Sequence, residues 1–232
     1  MGPVIFTPRT EASLALLRNA LPMLIRRLGN VALPLPREFC NVAVANPGAA
    51  LELLRRELGE AFVRLWGWLP GFFREVMVDY PHAKFYCYYG IEELRRSVDT
   101  AVDIARLVLR LRLGAKVDLN DWLRLFNQAS ARVIDVPRDY VAVIDDYVTL
   151  QILRRRRGLL DIVALGPPIP TPIDLLELIA MDVLDRERLA EVVQFVVKYV
   201  GDYVVLSRDL TEAFSRLVND KDYLSLIRSL GL

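Results

Sequence analysis

Histidine occurs once in this chain of 232 residues, as His82 between Pro81 and Ala83. A hydrolytic triad or a histidine-bearing metal site needs partners for it that the sequence does not supply, so no catalytic residue, metal ligand or cofactor is expected. Cysteine occurs twice, as Cys40 and Cys87, with no CxxC pair. Two reduced, buried thiols are the ordinary state inside a cell, and a bridge becomes the alternative if the source is a hyperthermophile. Lysine is nearly missing: Lys84, Lys116, Lys198 and Lys221 are the only ones, and the rest of the 30 basic residues are arginines. No GxGxxG, no phosphate-cradling GxxxxGK and no GxSxG is present, which removes the common nucleotide-binding and nucleophile-elbow chemistries. No uncharged apolar run approaches the ~18–20 residues that a membrane helix needs. The opening MGPVIFTPRTEAS lacks the basic start and long apolar core of a secretory leader, so a cytoplasmic location is expected.

What the chain does hold is apolar surface. Hydrophobic residues make up 53% of it with glycine left out of the count, more than a soluble domain ordinarily carries. The surplus has to be hidden, and a subunit interface is the simplest place. The net charge is +1, so no whole-molecule field draws in nucleic acid or anionic lipid. The preference for arginine, with proline frequent in the connections, fits a heat-adapted source.

One stretch organises the rest, IEELRRSVDTAVDIARLVLRLRLG at 91–114. Ile91, Leu94, Val98, Ala101, Ala105 and Val108 recur every three or four residues, the spacing of one helix face. Val102, Ile104, Leu107, Leu109 and Leu111 widen that face until the second half is apolar nearly all round, as in a helix inside a bundle. The fold expected is therefore mainly α, a helical bundle around a central helix at 91–113, with a few short β-strands.

Around this helix, Val4–Phe6 reads as an edge strand, and Thr10 caps a helix that Pro22 should kink or split. Gly29-Asn30 closes that helix, and the proline-containing 31–38 is extended. FCNVAVA (39–45) alternates like a strand, and Asn46-Pro47 starts the next helix. Gly67 to Gly71 breaks the chain before a short helix at 72–79. KFYCYY (84–89) is a further strand. Asp118 or Asn120 caps a helix with Trp122, and Val133–Val136 is a brief strand. Pro137 introduces a helix on which Tyr140, Ile144, Tyr147 and Gln151 share a face, ending at Arg154–Arg157 and Gly158. GPPIPTP (166–172) is a stiff connector. It divides a main helical domain at 1–165 from a small helical C-terminal subdomain at 173–232 packed on it. In the latter, Thr171 and Asp185 cap two helices, Gly201 ends the second, 202–207 is a strand, and Asp209 with Glu212 forms a capping box.

Three constellations are candidates for binding. Glu92, Arg96, Asp99, Asp103, Arg106 and Arg110 lie on one stripe of the central helix. Interleaved arginines neutralise its carboxylates and make an ion-pair ladder rather than a metal site. Arg154, Arg155, Arg156 and Arg157 end a helix where its dipole favours cations, and at most two of them can face one phosphate. Lys84, Tyr86 and Tyr88 belong to an aromatic strand of the kind that stacks single-stranded nucleic acid. These residues are the candidates for nucleic acid or an acidic partner. Asp145 and Asp146 are read as neighbours that diverge on a helix, not as an acid/base pair.

DYVVLSRDLTEAFSRLV (202–218), a strand followed by a capped helix, resembles the end of the helical N-terminal region of archaeal DNA primase large subunits. The resemblance implies an accessory role in nucleic-acid processing; the iron–sulfur cysteines of the full family are absent. The residues themselves point first to a non-catalytic subunit or adaptor of a larger intracellular assembly, binding a protein partner or a second copy through apolar helical surface. Nucleic acid is a possible partner, a membrane is not, and a carboxylate-based enzyme is a further alternative.

Overall fold

The computed structural model describes residues 3–126, 135–137, 139–158 and 161–232, with the side chain of Arg157 left aside. In chain order the elements are β1 (Val4–Phe6), α1 (Glu11–Leu28), β2 (Asn30–Pro36), α2 (Arg37–Ala43), α3 (Pro47–Leu58), α4 (Glu60–Trp66) and α5 (Leu69–Asp79). They continue with β3 (Lys84–Tyr89), α6 (Ile91–Arg112), α7 (Leu119–Arg124), β4 (Val141–Ile144), α8 (Tyr147–Arg157) and β5 (Ile162–Ala164). The last are α9 (Pro172–Ala180), α10 (Leu189–Lys198), α11 (Leu210–Val218) and α12 (Lys221–Ser229). The chain is mainly helical with a few short strands, and it divides into two units: 1–95 with 133–168, and 96–132 with 169–232.

Unit 1 is built on five parallel strands in the order β3-β2-β4-β1-β5. Val4, Ile5 and Phe6 sit opposite Ala142, Val143 and Ile144 on one side and Ile162, Val163 and Ala164 on the other. The Val4–Phe6 strand is thus interior, not an edge. Both faces of a parallel sheet are covered, so its inner strands are apolar runs rather than alternations, and Val31–Leu33 and Val141–Ile144 are buried throughout. Pro34 and Pro36 are accommodated in β2 because the register against β3 shifts between Leu33 and Pro36, a bulge where a missing N–H costs no ladder bond.

Several expectations are corrected here. Residues 39–45, read as a strand, lie in and just after helix α2, with Phe39 against Phe73 (ring centroids 6.3 Å) and Cys40 bonded to Cys87. The two cysteines are a disulfide with Cα atoms 5.8 Å apart, tying α2 to β3, not a pair of reduced thiols. The helix expected from Pro137 is instead strand β4 followed by α8, which starts at Asp146; the Asp146 side chain accepts from Thr149 N–H. Pro22 neither splits nor ends α1, which runs unbroken from its Thr10 cap to Gly29, whose φ of 78° turns the chain into β2. Of the strand expected at Val133–Val136, Val133 and Ile134 lie outside the described residues, and Asp135 and Val136 are not strand.

Unit 2 is helical. Ile104, Leu107 and Val108 of α6 pack with Trp122 of α7, Leu175, Leu176 and Ile179 of α9, Val192 and Val196 of α10, Leu217 of α11 and Tyr223 of α12. The Tyr223 hydroxyl donates to the Pro170 carbonyl at 2.7 Å. Thr171 and Asp174 form a reciprocal capping box at α9. After α10 the helix widens into a π-turn, Tyr199–Val204, so Gly201 does not end it and 202–207 is not a strand. Arg112 explains the choice of glycine there: its guanidinium packs where a Cβ on Gly201 would stand, and it pairs with Asp202 at 2.5 Å. With that strand gone, the segment carrying the primase resemblance keeps only its capped helix. Asp209 accepts from Glu212 N–H at 2.8 Å, while Glu212 reaches back to Arg208 N–H rather than to the cap itself. Nor is α6 buried all round. Val102 (44%) and Leu109 (57%) stay exposed.

Candidate functional site

Parallel sheets bind ligands at the carboxyl ends of their strands, where neighbouring connections leave in opposite directions. In unit 1 that point lies between β1 and β4. The chain from β1 crosses toward β2, and the chain from β4 crosses the other way to β5. Arg9, just past β1, and Asp145, just past β4, bridge this crevice. Arg9 Nε donates to Asp145 Oδ2 at 2.7 Å and Nη2 to Oδ1 at 3.0 Å. The Asp145 side chain is fully buried; that of Arg9 is 29% exposed and lies over the Phe62 ring, 5.6 Å from its centroid. Burial works against the Arg9 charge, but the adjacent Asp145, with Asp146 and Tyr89 behind it, raises its pKa overall.

A second group sits beside it. The Tyr89 hydroxyl, at the end of β3, donates to Asp146 Oδ2 (3.0 Å) and lies 2.7 Å from Thr149 Oγ1. The ends of β1, β3 and β4 are thus joined by side chains rather than by ladder bonds, and each carboxylate is committed to groups of this chain. The two aspartates do diverge, Asp145 to Arg9 and Asp146 to Tyr89, but from a strand end, not from a helix. Tyr88 next door is buried, its hydroxyl donating to the Val143 carbonyl at 2.8 Å; burial and the nearby negative groups push its pKa well up. The Thr7 hydroxyl at the same edge is buried with no hydrogen-bond partner.

Unit 2 offers a different surface. A cavity of about 430 Å³, open to solvent, is walled by Leu111 of α6, Val117, Leu119 and Trp122 at α7, and Ala190, Val193, Gln194 and Val197 of α10. Gln194 is its one polar side chain. Leu119 is 40% exposed, and Ala190 and Gln194 are exposed as well, so one side of the wall faces water.

The residues singled out in the sequence are not gathered in one place. Lys84 starts β3, and Arg154, Arg155 and Arg156 end α8; helices that return between parallel strands run antiparallel to them, so both groups lie at the amino end of the sheet, away from the crevice. They are exposed, but β3 and β1 are three strand spacings apart, about 14 Å. Arg157 has its side chain outside the described residues. Tyr86 is half-buried against Tyr140 (ring centroids 5.9 Å), and buried Tyr88 has no ring face left for a base. Arg106 and Arg110 belong to unit 2, where Arg106 donates to Asp103 at 2.7 Å. Among the described residues no cluster of His, Cys, Asp or Glu is placed to hold a metal ion, and no helix is long and apolar enough to cross a membrane.

Arg9, Tyr89 and Thr149 escaped sequence reading. The signal for them was three short apolar runs, VIF, YCYY and VAVI, each followed by polar residues, the pattern of strand ends in a parallel sheet. Comparison with family models, with curated proteins and with solved structures finds no match for this chain.

Proposed function

We propose that the chain is a non-catalytic adaptor of a larger assembly, and that unit 2, a helical bundle organised on α6, binds a protein partner in the groove between α6, α7 and α10. The observation that carries this reading is the groove itself. It holds about 430 Å³, is apolar at every wall residue but Gln194, and is open to solvent; an apolar helix face laid into such a groove is a recurring mode of protein recognition. The crevice of unit 1 supports the same reading, because its carboxylates are engaged with Arg9, Tyr89 and Thr149.

Ala190→Arg and Leu119→Ser alter exposed groove positions and leave the core intact. A partner recovered with the intact chain, and identified by mass spectrometry, should be lost with this double variant. It should be retained with Leu16→Arg, an exposed change on α1 of unit 1. Retention by both variants sinks the reading.

A second reading rests on the exposed Arg154, Arg155 and Arg156 and on Lys84, all at the amino end of the sheet: an accessory factor that grips nucleic-acid phosphates. Replacing the three arginines by alanine should then weaken binding to single-stranded DNA and flatten its salt dependence by roughly one unit of slope for each phosphate no longer neutralised. An unchanged slope removes this reading.

A further inference from the structure

Opposite its buried face, α6 carries a second apolar stripe. At about 100° per residue, Val98, Val102, Ala105, Leu109 and Leu113 fall within one side of the helix. Ala105 is exposed, as are Val102 (44%), Leu109 (57%) and Leu113 (78%). Ile104, Leu107 and Val108, which fill the core of unit 2, point the other way. All of this lies in unit 2 and is separate from the groove.

The charges beside the stripe have an order. Within the span of the stripe, one flank carries Asp99, Asp103, Arg106 and Arg110 in that order, two negative groups and then two positive, with Glu92 and Arg96 of the same flank falling before it. Arg106 pairs within the helix with Asp103 at 2.7 Å. Asp99 and Arg110 have no ion-pair partner among the described residues. In an antiparallel helix pair, a flank faces the same flank of its partner, running backwards. A second copy of this helix then places its Arg110 and Arg106 against Asp99 and Asp103 of the first, and the reverse. The same twofold sets Val102 against Leu109 and Val98 against Leu113, and it passes close to Ala105, whose small side chain permits close approach at the crossing. A parallel pairing would instead set this flank against the opposite flank of the partner, where Ala101 and Val108 offer its charges no counterpart.

We propose that the occupant of this stripe is a second copy of the chain, docked through an isologous, antiparallel α6–α6 contact. The contact runs over about 22 Å of helix, short of what a permanent dimer buries, so the association is weak and concentration-dependent. The adaptor groove stays open in each copy.

Sedimentation of the full chain between about 1 and 200 µM tests this, since a weak dimer exchanges with monomer over such a micromolar range. A monomer–dimer equilibrium should appear and shift at least tenfold toward monomer with Leu109→Glu, a change at an exposed position. Charge exchange supplies the specific readout. Asp99→Arg with Asp103→Arg, and separately Arg106→Asp with Arg110→Asp, should each abolish the homodimer. Mixing the two variants should restore a dimer, which no loss of folding can imitate. The proposal is overturned if the intact chain stays monomeric throughout, if the dimer ignores Leu109→Glu, or if mixing restores nothing. A dimer abolished only by the groove changes Ala190→Arg and Leu119→Ser would place self-association in the groove instead, against this proposal.

Discussion

The two units solve the burial problem in opposite ways. Unit 1 hides a parallel sheet whose inner strands are apolar on both faces, locks its polar strand ends together, Arg9 to Asp145 and Tyr89 to Asp146, and ties helix α2 to β3 through Cys40 and Cys87. Among the described residues unit 2 has no sheet, and it holds no disulfide. Its helices share one apolar core, while its charged groups mostly pair along the surface, as Arg188 with Glu191 and Arg216 with Glu212. A unit held by long-range, specific links is sensitive to losing any one of them; a unit held by distributed packing is not. Both units leave apolar side chains exposed, Leu16, Met23 and Val78 in unit 1 among them, but in unit 2 Val102, Leu109 and Leu113 line up as one stripe on α6.

The contrast is broken most directly at the disulfide. Closing a loop of 47 residues is worth about 4 kcal/mol by chain entropy. Cys40→Ser with Cys87→Ser should cost roughly that, with hydrogen-exchange protection lost across residues 30–89. Equal loss across 172–229 would erase the distinction between the units. Next comes the buried ion pair. Asp145→Ala strands Arg9 and should cost about 3 kcal/mol in urea unfolding, the low end for such a loss because the Arg9 side chain still reaches water. A cost well under about 1 kcal/mol would place the pair among ordinary surface ones.

Caps give a matched comparison with a smaller effect. Asn46→Ala at α3 and Thr171→Ala at α9 should each cost about 1 kcal/mol, one per unit, since each side chain satisfies one helix-end N–H. A markedly larger cost at Thr171 would show that unit 2 depends on this helix start more than its distributed core implies.

The smallest effect is electrostatic. Hydrogen bonds from Arg208, backbone first and side chain next, and then from Arg216, hold Glu212 down to about 2 from an ordinary 4.5. A depressed carboxylate stabilises the folded state above its unfolded pKa, and that contribution is lost as pH falls from about 4.5 toward 2. Thermal melts of Glu212→Gln should therefore depend less on pH than the intact chain in that window, with the gap between the two widest, and no longer changing through this titration, near neutrality. Parallel curves throughout would mean the glutamate contributes nothing.

How far these features could be read in advance follows from their range along the chain. Thr10, Asn46, Asp118, Thr171 and Asp209 cap helices as expected, because a cap is a contact between residues two or three positions apart. Strand β3 was legible from its aromatic run. FCNVAVA was not, since alternation over seven residues also fits a short helix that buries Phe39 and Ala43 one turn apart. The tract 137–157 failed for a related reason. Tyr140, Ile144 and Tyr147 keep helical spacing by coincidence, while VAVI is an apolar run with no period of its own. That error also hid the crevice, for Asp145 and Asp146 mean something only once they stand at the end of a strand.

The sequence by itself settled the helix caps at Thr10, Asn46, Thr171 and Asp209, the length of α6, the want of nucleotide motifs and of histidine partners, and the surplus of apolar side chains. These are properties of composition or of neighbours along the chain. Only the tertiary structure decided that short stretches far apart in the chain form one parallel sheet, that Cys40 meets Cys87, and that Arg9 finds Asp145. Each of those contacts joins segments separated by dozens of residues, and a parallel strand carries no marker of its neighbour until the intervening helix has folded back.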